Sequence, residues 1–180
     1  MADALTATAQ RVQDALKALG VASQVVELPA STRSAAEAAQ AIGCRVEQIA
    51  KSLVFRGLST NRPVLAIVSG ANRVDEERLG DLITEAVAIA DAEFVRQRTG
   101  YAIGGVPPVG HVESLVCLID EDLFQYDTIW AAAGTLARLE ARLVFEALLQ
   151  RAPNLRLDGP LPRYRQNFNL RGLESLPVTL

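Results

Sequence analysis

A chain of 180 residues that is 49% hydrophobic and 22% charged is long enough for one domain with a true core and too apolar to be disordered. Aromatics make up only 5%, so Ala, Val, Leu and Ile must fill that core; Cys44 and Cys117 are too few for a disulfide framework, and the single His111 excludes a His-rich metal site. Residues 1–150 carry 13 Lys and Arg against 19 Asp and Glu, whereas residues 151–180 carry five Arg against two acids, and an acidic body argues against phosphate-driven coating of nucleic acid without excluding contact with one end of it.

The first stretch, MADALTATAQRVQDALKALG, is amphipathic and has neither a secretion-signal pattern nor an apolar run near the ~20 residues of a membrane span. A cytoplasmic location with reduced thiols and no membrane partner is therefore expected. Val12, Leu16 and Leu19 predict a helix stopping at Gly20. VVEL at 25–28 predicts a strand ended by Pro29, and Ser34 to Glu37 has the spacing of a capping box for a helix ending at Gly43. A short turn at Val46–Ile49 leads into a strand through Lys51, which a loop from Arg56-Gly57 to Arg62-Pro63 joins to a returning strand, Pro63–Ser69. Asp75 and Asp91 are the expected N-caps of two further helices, with Ala86–Ala90 between them as a buried strand. Leu115–Ile119 and Ile129–Ala133 are strands, separated by a turn at Asp120–Leu123. Helices and strands joined by short loops give an α/β (mixed α+β) class with a mixed sheet.

Two places suggest chemistry. Lys17 and Lys51 are the only lysines among 18 basic residues, and Lys51 sits in the apolar run IAKSLVF. There it either snorkels at a sheet edge or stands at the wall of a polar pocket. The segment from Thr99 to His111 packs four glycines and two prolines into 13 residues, so it is neither helix nor central strand. It is either a structural crossover or a stiff loop whose exposed N–H groups hold an anion or polarise a carbonyl. The spacing of GYAIGG is wrong for a dinucleotide fingerprint. His111 is expected in a hydrogen-bonded or surface role, and both cysteines as packed thiols.

Thr32, AKSLVF at 50–55, SGANRVD at 69–75, TGYAIGGVPPVGH at 99–111, LIDEDL at 118–123 and IWAAAG at 129–134 together resemble the YbaK / prolyl-tRNA-synthetase-associated editing family over about residues 8–134. That resemblance implies a barrel-like mixed β-sheet surrounded by helices, and a deacylase that removes wrongly attached amino acids from tRNA. The family's functional lysine matches Lys51, its G-x-x-x-P loop matches Gly104 to Pro108, and a late pocket glycine matches Gly134. On this basis the expected catalytic set is Lys51 with the N–H groups of Gly104, Gly105 and Val106. The expected substrate contacts are Thr32, Ser69, Asn72, Arg73, Tyr101, Pro108 and Gly134, with Val54, Val68, Ala132 and Ala133 as pocket wall; Asn72-Arg73 reads equally as an ordinary turn with a capping role. The resemblance implies a trans-acting deacylase of the Cys/Ala-tRNA-Pro type; no Ser-His-Asp set, Cys-His set or metal cluster is legible, so chemistry without metal, cofactor or protein nucleophile is expected. Its partners would be mischarged tRNA and prolyl-tRNA synthetase.

From Leu136 the chain leaves that pattern and resembles the C-terminal end of bacterial haem-thiolate monooxygenases, with Ala131 where their cysteine ligand would stand, so no haem is expected. Leu136, Leu139, Leu143 and Leu148 predict a long amphipathic helix, followed by an extended tail that wraps the body or makes dimer contacts; monomer and homodimer both remain open. The expected division is an editing domain over 1–135 and this atypical helix and tail over 136–180. The competing readings are a catalytically inactive module that holds a nucleotide or tRNA end and, more distantly, a DNA-binding regulator, which the acidic body disfavours.

Overall fold

The computed structural model describes residues 5–28, 34–134 and 137–140. Helix α1 (Ala7–Ala18) starts at Thr6, whose hydroxyl accepts the Ala9 N–H, and buries Ala9, Val12 and Leu16. Strand β1 (Val25–Glu27) follows, then α2 (Ala35–Ile42), where Ser34 Oγ accepts the Glu37 N–H and left-handed Gly43 ends the helix. After a 3-10 turn at Val46–Gln48 come β2 (Ile49–Gly57) and its hairpin partner β3 (Pro63–Ser69). Asp75 caps α3 (Glu76–Ile83), β4 (Val87–Ile89) follows, and Asp91 caps α4 (Ala92–Thr99). Then β5 (Val116–Ile119), a 3-10 turn at Glu121–Gln125, β6 (Trp130–Ala132) and β7 (Ala137–Glu140) complete the described chain.

The seven strands form one mixed sheet in the order β1-β7-β6-β2-β3-β5, with β4 also paired to β2. Strand β2 runs antiparallel to β3 and β4 but parallel to β6, and β3 runs parallel to β5. All seven residues of β3 are buried, as its place between two strands and two packed faces demands. One face carries the core of Val12, Leu16, Leu65, Ile67 and Val106, gathered from α1, β3 and the glycine-proline loop. The other packs Phe55, Val64 and Val68 on Leu79 and Ile83 of α3. No helix among the described residues is long and apolar enough to cross a membrane.

Four expectations need correcting. The sheet is not closed into a barrel: it ends at β1 on one side and at β5 on the other, and these two strands are not paired. Within the expected strand at 86–90 only Val87 and Ala90 are buried, and Ile89 is 58% exposed, at the rim of the cavity described below. Cys117 lies on the edge strand β5 with part of its surface exposed, so it is only partly packed, although burial still pushes its thiol pKa up to about 11. Finally, the helix expected from Leu136 does not form over Ala137–Glu140, which are strand. There Leu139 stands opposite both Val25 and Ala131, and two ladders outweigh a helical pattern of leucines. The rest of that helix and the tail lie outside the described residues.

Candidate active site

β2 has two unlike edges. Toward β3 the register is unbroken from Ala50↔Ser69 to Arg56↔Pro63. On the opposite edge β6 pairs only Ile49 and Ala50, and β4 pairs only Phe55 to Gly57. The Ala90 N–H reaches the Val54 carbonyl at 3.0 Å, so Val54 turns its peptide groups toward β4. Peptide groups alternate edges along a strand, so Ser52 turns its N–H and C=O the same way, into the gap between β6 and β4. No strand stands opposite it there among the described residues. A cavity of about 320 Å³ opens at this gap. Its wall includes Lys51, Ser52 and Val54 from β2, Ala132 from β6, and Gly104 and Val106 from the loop.

Lys51 is half-buried in that wall, and its Nζ donates to the Asn72 carbonyl at 2.5 Å. Burial, and then the neighbouring Arg73 charge, push its pKa below the ordinary lysine value, while Asp120 pulls it back up. The Asn72 carbonyl is itself held in place. The Asn72 amide donates to Asp120 and Asp122 at 2.8 Å each, and buried Asp120 also accepts the Ser69 N–H at 3.0 Å and the Asp122 N–H at 3.1 Å. Asp120 at the end of β5 thus fixes the turn after β3, and that turn fixes the lysine.

The glycine-proline loop is stiffened from several sides. The Tyr101 hydroxyl accepts from Arg11 Nε at 3.0 Å and donates to the Gly110 carbonyl at 3.2 Å, while the Arg11 guanidinium lies 4.0 Å above the ring. His111 Nε2 lies 2.8 Å from the Pro107 carbonyl, the hydrogen-bonded role expected of it. Burial lowers the His111 pKa, which keeps the ring neutral with Nε2 as donor. Gly104 adopts φ +82 with open space where a Cβ would be, a conformation that leaves bare backbone at the cavity. The Gly105 N–H is taken by the Ala102 carbonyl at 3.0 Å, and the Gly105 carbonyl accepts from the Gly134 N–H at 3.0 Å. Among the described residues the N–H groups of Gly104 and Val106 meet no acceptor.

Of the residues expected from sequence, Lys51, Gly104 and Val106 therefore line one cavity. Gly105 lies in the same loop, but its N–H is spent on the loop's own turn. Asn72 acts on the lysine through its backbone, and Arg73 is exposed beside it. Buried Ser69 spends its hydroxyl on the Glu47 carbonyl at 3.0 Å. Buried Tyr101 and Pro108 shape the loop. Gly134, at φ +104 and close to Thr8, ties the loop to the end of β6. Thr32 lies outside the described residues. Val54 and Ala132 are in the cavity wall, whereas Val68 packs on α3 across the sheet and Ala133 is enclosed in the core. Sequence reasoning missed Ser52 and Asp120. A serine alternating with buried Ala50 and Val54 was the readable sign of the first; Asp120 passed as an ordinary turn residue. Among the described residues no three His, Cys, Asp or Glu side chains are grouped to hold a metal ion.

The family model for the aminoacyl-tRNA editing domain matches residues 29–141. A protein of Enterococcus faecalis named "Putative Cys-tRNA(Pro)/Cys-tRNA(Cys) deacylase EbsC" is 31% identical over 120 residues, covering 64% of this chain and 70% of that one. A crystal structure of "a putative trans-editing enzyme for prolyl tRNA synthetase" superposes with a TM-score of 0.75 at 49% identity, covering 81% of this chain and 92% of that one. The monooxygenase similarity is partial: the "Steroid C26-monooxygenase" of Mycolicibacterium smegmatis is 46% identical over 57 residues, which are 31% of this chain and 14% of that one.

Proposed function

Because this chain belongs to the aminoacyl-tRNA editing domain family, we propose that it is a trans-acting deacylase that hydrolyses the ester between a wrong aminoacyl group and the 3′ end of a tRNA, of the Cys/Ala-tRNA-Pro type. The observation that carries this reading is one cavity of about 320 Å³ lined by half-buried Lys51 together with Gly104 and Val106, whose N–H groups meet no acceptor among the described residues.

The ester is already activated relative to an amide, so positioning and charge stabilisation suffice. Lys51 orients the ribose end, and the N–H groups of Gly104 and Val106 face the ester carbonyl as negative charge develops on its oxygen. Water, or a group of the substrate itself, attacks that carbonyl carbon, and the ribose oxygen leaves with a proton. The small wall residues Val54 and Ala132 suit a short side chain such as that of alanine or cysteine, and the cavity lies at the small end of the ~300–1,000 Å³ usual for ligand sites. One methylene is worth only ~1–3 kcal/mol, which is why a separate clearing step is useful. Prolyl-tRNA synthetase is the expected source of the substrate, and the cytoplasm the expected place.

Deacylation of a panel of mischarged tRNAs tests the reading. The chain should release alanine or cysteine from tRNA-Pro, and Lys51→Ala should lower kcat/KM at least ~100-fold with an unchanged circular dichroism spectrum. Full activity of that variant removes the lysine from the mechanism. Binding of aminoacylated ends without turnover replaces the enzyme with a binding module.

A further inference from the structure

The polar groups of the residues that line the cavity divide into two kinds. The Lys51 ammonium and the N–H groups of Gly104 and Val106 are donors, and they suit the carbonyl and ribose oxygens of an aminoacyl ester. The same ester carries an α-ammonium, which can only donate, and among the described residues no Asp or Glu lines the cavity to receive it. Ser34 Oγ already accepts the Glu37 N–H. Ser52 is different. Its Oγ is fully buried and has no hydrogen-bond partner among the described residues. Its carbonyl is turned into the break between β6 and β4, where no strand N–H meets it among the described residues. A buried hydroxyl and a peptide carbonyl left unpaired side by side are a standing cost that a bound donor removes.

We propose that Ser52, through its hydroxyl and its peptide carbonyl, is the subsite for the α-ammonium of the aminoacyl group. This deepens the deacylase reading and shares its ligand. The cavity then grips the acyl group at both polar ends, with donors on the ester side and acceptors on the amine side. Acyl groups without an amine are poor ligands, because they leave the Ser52 acceptors unpaired. Ser52 is a binding residue whose contact is independent of the bond that breaks.

The test compares alanyl-tRNA with propionyl-tRNA, which lacks only the amine, for the wild-type chain, Ser52→Ala and Ser52→Thr. The wild type should prefer the alanyl ester by about tenfold or more in kcat/KM, as a hydrogen bond to a charged group allows. Ser52→Ala should lose about tenfold on the alanyl ester and little on the propionyl ester, and Ser52→Thr should keep the preference. A wild-type preference that survives intact in Ser52→Ala overturns the proposal. The second arm measures binding of the non-hydrolysable 3′-alanylamino-3′-deoxyadenosine and of its propionyl counterpart by calorimetry. If the wild type hydrolyses no ester, the deacylase reading falls and this arm decides the subsite alone. An amine preference that disappears in Ser52→Ala upholds it; wild-type binding without such a preference, or no binding at all, overturns it.

Discussion

The two edges of β2 are built from the same nine residues and are used in opposite ways. The edge toward β3 is paired through seven consecutive register positions, and both faces of β3 are buried. The opposite edge is paired at each end and open in the middle, and there Lys51, Ser52 and the loop backbone meet a cavity. A strand that paired every peptide group would leave none of its own backbone groups free for a ligand. The closed edge supplies the rigidity that lets the other edge stay unfinished.

That division can be broken from either side. The largest effect is expected on the closed edge. Leu65 is fully buried, so Leu65→Ala should cost ~2–5 kcal/mol of stability in denaturant unfolding, with kcat/KM per folded molecule little changed. Lys51→Ala should show the reverse pattern, and a large stability loss in that variant would erase the contrast. Next comes Asp120, which links the two edges. Asp120→Asn should lower kcat/KM about tenfold by loosening the support of Asn72 and Lys51. Its pH profile is the sharper readout. If the charged lysine is the active form, activity falls as pH rises through a lysine pKa already depressed by burial and Arg73. Losing the Asp120 charge depresses it further and moves that falling limb to lower pH, whereas Arg73→Ala moves it to higher pH. A limb that stays in place in both variants separates Lys51 from the pH dependence. The smallest effect belongs to the wall: Ala132→Val should shift relative kcat/KM between alanyl and larger aminoacyl esters about tenfold toward alanyl, with stability nearly unchanged.

A further pH effect belongs to the loop. The neutral His111 ring bonds Pro107, and burial lowers its pKa below 6.5. The unfolded chain then binds the proton more readily than the folded one, so stability should decline as pH falls below about 6.5. His111→Gln should flatten that dependence in thermal unfolding measured across pH 5–8.

Local signals were legible in the sequence because they act over a few residues. The Ser34 and Asp91 caps, the stop at Gly43 and the bounds of the β2–β3 hairpin are all set by neighbours within one turn. The pairing of Lys51 with a glycine-proline loop was legible through resemblance, and the loop's stiffness through its composition. What the sequence hid is non-local. The LARLE segment carries a helix-like spacing of leucines, yet Ala137–Glu140 are claimed by β6 and by β1, the latter far away in sequence and near in space. The open stretch of β2 depends on how far β4 and β6 extend, which no residue of β2 records. Asp120 looks like any turn aspartate until Asn72, 48 residues earlier, is brought against it.

The bond from the Gly134 N–H to the Gly105 carbonyl joins the loop to the end of β6, so the two segments that bring Gly104, Val106 and Ala132 to the hollow are tied to each other. An aperture whose sides are laced together resists dilating around an oversized guest. Discrimination by such an opening is a matter of preset dimensions rather than of closing movement, and any change that lengthens the chain between Ala132 and Gly134 would alter the gauge itself.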